Sequence, residues 1–133
     1  MFMIFIAGIT IAIFFELLLI VKKKKSSADK VLILWMFLVA LHIFLFFINQ
    51  TQINQNFSFI LGVELPFPML QAVMLYLYVA TATNQLPKNR SILILHFIPA
   101  AAAYVYLAGS FYFLPSADKI FVYQNNGLGY EVF

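Results

Sequence analysis

Four consecutive lysines, Lys22 to Lys25, directly follow an apolar run over residues 3–21 whose one ionisable side chain is Glu16. A helix rises about 1.5 Å per residue, so a run of this length covers roughly the thickness of a bilayer's hydrocarbon core. Such a segment has to fold as a membrane-spanning helix, because lipid offers no partner to an open backbone. Lys and Arg beside a span are retained in the cytoplasm, so the lysine run predicts an amino terminus on the outer side. A nuclear-localisation reading of the lysines ranks far below this one, since a span precedes them immediately. Nor does the segment read as a cleavable signal peptide: its positive charges follow the apolar run, and no small-residue cleavage site closes it.

Composition extends this argument to the whole chain. Hydrophobic residues make up 64% and charged residues 10%, with sixteen phenylalanines in 133 residues, more apolar surface than a water-soluble domain of this length can hide. Lipid must cover it. The net charge of +3 comes largely from the lysine run, where anionic headgroups would sit, so Lys22, Lys23, Lys24 and Lys25 read as topology and headgroup contacts and not as a nucleic-acid surface. The absence of cysteine excludes disulfides, thiolate metal sites and cysteine nucleophiles.

The expected fold is all-α, a polytopic transmembrane helical bundle with four spans at about 3–21, 31–48, 66–83 and 92–114, and an outer C-terminal loop over 115–133. Trp35 falls near the inner interface, where an amphipathic ring is favoured. Residues 49–58 are mostly amide and hydroxyl side chains and prefer water; their two glycosylation sequons, and a third at Asn89, carry little weight in asparagine-rich sequence. Pro66 and Pro68 suit the opening turn of the third span, and Pro99 should kink the fourth. Ala100 to Ala103 and Gly109 would let a neighbouring helix approach closely. On this topology seven basic residues lie inside (Lys22 to Lys25, Lys30, Lys88, Arg90) and Lys119 alone outside. Residues 120–133 read as two strand-like runs about an Asn-Gly turn, a plausible hairpin. The tetrapeptide Ser-Ala-Asp-Lys, at Ser27 to Lys30 and Ser116 to Lys119, reads as a helix-start or loop signal and not as a duplication.

Ionisable side chains inside a bilayer are costly and become functional candidates by default; here they are Glu16, His42 and His96. Glu16 and His96 fall at one depth, roughly 6 to 8 Å below the inner interface at the helical rise, where they could form a pH-responsive pair. The plainer alternative is that both snorkel to the interface. His42, roughly 17 Å into its span, is expected to hydrogen-bond another helix. Gln71, Tyr76, Tyr78, Thr81 and Thr83 give the third span a moderately polar side, either a packing seam between helices or the wall of a ligand cavity. No zinc-type histidine spacing, paired intramembrane carboxylates or nucleophile with its base is present, and Gly127-Leu128-Gly129 has no strand-to-helix context. The chain is therefore not expected to be an enzyme or to carry a metal or cofactor.

The succession Lys24-Lys25-Ser26, Ala28-Asp29-Lys30, Trp35, His42, Leu65-Pro66-Phe67-Pro68, Leu75-Tyr76-Leu77-Tyr78-Val79, Leu95-His96-Phe97-Ile98-Pro99 and Phe111-Tyr112-Phe113-Leu114-Pro115 runs across almost the whole chain. It resembles the amino-terminal membrane region of bacterial membrane-bound AraC-type transcription regulators. The resemblance implies a seven-helix membrane domain with its amino terminus outside, followed by a cytoplasmic helix-turn-helix domain. The family pattern often has Gly-Pro where this chain has Gln71-Ala72-Val73-Met74, and no basic recognition helix occurs before Phe133.

The reading is thus a sensor and anchor fragment of such a regulator in the bacterial inner membrane. Its expected partners are the lipid bilayer, a second copy in a homodimer, and DNA through a domain outside this chain. Glu16, His42, Gln71, Tyr78 and His96 are the candidate intramembrane sensing residues. The alternative from another class is a small four-helix integral membrane transport or accessory protein, and a third reading is purely structural anchoring.

Overall fold

The computed structural model describes residues 2–50 and 58–125. Among them the regular elements are all helical: α1 (Phe2–Val21), α2 (Ser27–Gln50), α3 (Phe67–Ala82), α4 (Arg90–Leu95), α5 (Ile98–Leu107), a π-helical turn (Ala108–Tyr112) and α6 (Ser116–Gln124). Met3–Val21, Ser27–Asn49 and Arg90–Tyr112 are long and apolar enough to cross a membrane. Their apolar side chains are spread around the helix instead of following one stripe, and Met3, Ile4, Val21 and Val105 each expose more than seven-tenths of their surface. Helices apolar on every side belong in lipid.

The stretch expected as the third span is a shorter helix. The 16 residues of α3 cover about 24 Å at the helical rise, less than the core thickness of ~30 Å. Residues 58–66, just before it, form a chain of tight turns in which Leu61, Val63, Leu65 and Phe67 each donate their backbone N–H to the residue three back. Leu61 and Pro66 are fully buried there, so this irregular backbone is covered by protein. Gly62 makes the turns possible. Its φ of 79° lies in the left-handed region, and a Cβ on it would meet a carbon of the Phe111 ring at 2.8 Å.

The helices pack in series, α1 on α2, α2 on α3 and α3 on α5. Between the helices of the first pair, Ser26 and Asp29 form a reciprocal capping box: the Ser26 N–H donates to Asp29 Oδ2 at 2.7 Å and the Asp29 N–H to Ser26 Oγ at 3.1 Å. Lys22 Nζ pairs with the same carboxylate at 2.8 Å. One of the four lysines thus fastens the turn between α1 and α2. Helix α3 ends in a Schellman motif, with Asn84 at φ 55° as its left-handed residue. The Gln85 N–H reaches Ala80 O at 2.8 Å and the Asn84 N–H reaches Thr81 O at 3.3 Å.

The last long segment bends where expected. Ahead of Pro99 the His96 and Phe97 N–H groups bond three residues back, to Leu93 O and Ile94 O, so α4 tightens and stops before α5 begins. A proline ring crowds the carbonyl four residues earlier, here Leu95, which is why the break falls there. Ala100 is buried as a close-approach residue should be. Gly109, by contrast, faces open space among the described residues.

The expected hairpin is not formed. Residues 120–123 are helical, inside α6, and the part of that reading over 126–133 lies outside the described residues. Ser-Ala-Asp-Lys wins locally: it starts α6 directly after Pro115, with Asp118 in the first turn and the Lys119 N–H bonded to Pro115 O at 3.0 Å. The same tetrapeptide opens α2. Most of the amide-rich loop also lies outside the described residues, including Thr51 and Asn56 of its sequons.

Candidate functional site

The polar residues of α3 do not face one way. Gln71 turns to α2, where its side-chain amide nitrogen lies 2.8 Å from His42 Nδ1. An amide N–H donating to Nδ1 leaves the imidazole neutral with its own proton on Nε2. Below the His42 ring is the Phe67 ring, stacked at a centroid distance of 5.4 Å. Tyr78 also faces α2 and meets Trp35 at 6.2 Å. Tyr76 turns the other way and stacks on His96, with ring centroids 4.3 Å apart and planes 7° from parallel. The Thr81 and Thr83 hydroxyls donate back to the carbonyls of Leu77 and Val79 in their own helix. The third helix therefore presents two packing faces: Gln71 is hydrogen-bonded, Tyr76 and Tyr78 meet rings on opposite sides, and Thr81 and Thr83 bond within the helix.

Glu16 and His96 are not joined. The His96 ring is held by Tyr76 and by Ile92 O, 2.7 Å from Nδ1, and no hydrogen bond or ion pair among the described residues links it to Glu16. Glu16 lies half-buried on α1, which packs on α2.

A second polar cluster lies in the turns before α3, around a residue that the sequence places between two apolar segments. Glu64 is only 2% exposed. Its Oε1 accepts a 2.6 Å hydrogen bond from the Tyr123 hydroxyl of α6. Two more tyrosines hold the backbone just before it: Tyr104 donates to Val63 O at 3.2 Å and Tyr112 to Gly62 O at 3.1 Å. Ser58 Oγ donates to Ser116 Oγ at 2.8 Å, tying the start of the turn segment to the start of α6. Glu64 Oε2 has no hydrogen-bond partner among the described residues, an arrangement that costs about 1–3 kcal/mol for a buried oxygen. Burial pushes the Tyr123 hydroxyl well above the ordinary tyrosine range, and the Glu64 carboxylate pushes it further, so Tyr123 stays a donor.

The sequence did carry a signal for this cluster. Glu64 is the one charged side chain between Lys30 and Lys88, set among Gly62, Val63, Leu65 and Pro66. A carboxylate so isolated in apolar sequence needs donors, and tyrosine hydroxyls in apolar segments need acceptors. What the sequence could not give was the pairing across 59 residues.

Among the described residues no group of three or more His, Cys, Asp or Glu side chains is placed to hold a metal ion. What the cluster can do chemically is hold α5, the π-helical turn and α6 to the turn segment, through the Tyr104, Tyr112 and Tyr123 hydroxyls and the Glu64 carboxylate. Comparison of the chain with family profiles, with curated proteins and with solved structures finds no match.

Proposed function

We propose that the chain is the membrane-embedded sensor and anchor region of a bacterial AraC-type transcription regulator, with its outer face as the signal input. It crosses the inner membrane four times, with α3 and the turns before it making the third crossing, and its amino terminus lies outside. The observation that carries the reading is the Tyr123–Glu64 hydrogen bond. It fastens α6 to the turns that lead into α3, and α3 in turn is tied to α2 through Gln71 and His42. A signal that loosens the outer cluster would thus change how the helices pack, and helix packing is the quantity a cytoplasmic output domain on the same chain would follow in its dimerisation or orientation. Deep polar contacts with two discrete arrangements are suited to such coupling.

The test is made on the full-length regulator. Glu64→Gln, Tyr123→Phe and substitutions through residues 49–64 are expected to alter the target-gene response while the protein still reaches the membrane. An unchanged response to all of them would sink the sensor reading. Solute or ion flux by the 133-residue chain alone in liposomes would favour a transport or accessory protein instead.

A further inference from the structure

A groove of about 300 Å³ runs between α3 and the bend of the last span, lined by Met69, Ala72, Val73, Tyr76, His96 and Pro99. It exists because the break ahead of Pro99 bends α4 away from α5, leaving a gap that the side chains of α3 do not fill. Its walls are apolar except at the stacked Tyr76 and His96 rings. The loop that joins its two walls carries Lys88 and ends at Arg90, the first residue of α4. Arg90 is six residues before His96, roughly 9 Å at the helical rise, and Lys88 lies two residues further back along the chain. Both are exposed, and neither forms an ion pair among the described residues; Asp29, the acid paired at this end, is taken by Lys22.

We infer that this groove is a binding site for one anionic phospholipid, with an acyl chain against Ala72, Val73 and Pro99 and the phosphate held by Lys88 and Arg90. A cavity of this volume is at the small end of those that hold a ligand, and it is an open groove, not an enclosed void. Two uncompensated cations under a gap between membrane helices select a negative headgroup. The inference rests on the reading that the 83–89 loop is cytoplasmic.

The experiment compares spin-labelled phosphatidylglycerol with spin-labelled phosphatidylcholine bound to the 133-residue chain in phosphatidylcholine vesicles. Each well-placed cation gives about fivefold, so phosphatidylglycerol is expected to be preferred by roughly that factor or more. K88Q/R90Q, which changes exposed loop residues and leaves packing intact, should bring the preference down severalfold, and Ala72→Leu should remove the immobilised component with Lys22 to Lys25 unchanged. Equal binding of the two lipids, or a preference that survives both variants, overturns the site and assigns the attraction to the lysine run. Because the chain has no cysteine, Ala72→Cys gives a single label site. Crosslinking there between two chains would show the groove to be a protein interface and would also overturn it. Lys88→Cys labelled from the outer side would refute the orientation, whereas groove-specific failure with Lys88→Cys labelled from inside refutes the lipid site alone.

Discussion

His42 Nδ1 and the side-chain amide of Gln71 lie 2.8 Å apart although 29 residues separate them, which makes one polar tie between α2 and α3 inside the apolar layer. Bonds of this kind between membrane helices contribute about 0.6 kcal/mol on average and up to about 1.7. Gln71→Leu and His42→Leu are each expected to destabilise the helix pair by about that range. The double variant should cost less than the sum, since the second change removes a group already without its partner. Reversible unfolding in mixed micelles of increasing detergent fraction reads all three; strict additivity would mean that the contact carries no energy.

Tyr123→Phe deletes the donor to a carboxylate that is almost completely buried. The expected loss is about 1–3 kcal/mol, with faster hydrogen exchange in α6 as the local sign. Tyr104→Phe frees only a backbone carbonyl, and the loss there is expected at about 1 kcal/mol. An α6 as protected in Tyr123→Phe as in the wild type would mean that the helix is held by something other than Glu64.

The same hydrogen bond fixes an alkaline limit. The folded-state pKa of Tyr123 is raised by burial first and by Glu64 second. A raised value means that its contribution to stability is complete below the unfolded value near 10, and is lost as pH rises from there through the higher folded value. Ultraviolet absorbance of tyrosinate should therefore show Tyr123 ionising later than an exposed tyrosine. Glu64→Gln should bring its titration to lower pH, and an unmoved titration would show the carboxylate to be irrelevant to it.

Glycines 62 and 109 predict opposite outcomes for the same kind of change. Gly62→Ala places a Cβ against the Phe111 ring at a left-handed φ, so it should destabilise by about 1 kcal/mol at the least. Gly109→Ala meets nothing and should be neutral or slightly stabilising, since alanine is the better helix former. Thermal unfolding of the two variants in detergent separates them directly.

How much of this was legible depended on whether a signal was local. The lysine run, the prolines and the repeated Ser-Ala-Asp-Lys each act within a turn or two, and the bend ahead of Pro99 and the starts of α2 and α6 fall where those residues place them. The hairpin over residues 120–123 was misread because Ile120, Val122 and Tyr123 favour strands weakly, while the helix start four residues earlier dominates. His42 and Gln71 were visible as polar residues in apolar helices, and the expectation that His42 bonds another helix matches their geometry. Glu64 lies between the amide-rich stretch 49–58 and the apolar run that begins at Pro66, so neither pattern points to its burial. Its partner Tyr123, and the tyrosines that hold Gly62 and Val63 beside it, come from three later parts of the chain, and no period or spacing in one sequence announces contacts of that range.

Glu64 is made 59 residues before the tyrosine that bonds it. At a synthesis rate of about 5–20 residues per second, the carboxylate waits some 3 to 12 s for its donor. During that interval the carboxylate is without the hydroxyl that bonds it in the finished structure. Only the arrival of α6 supplies that hydroxyl. The order of translation thus sets this contact after the synthesis of α1 to α5, and a nascent chain stalled before residue 123 would leave Glu64 Oε1 without its tyrosine donor.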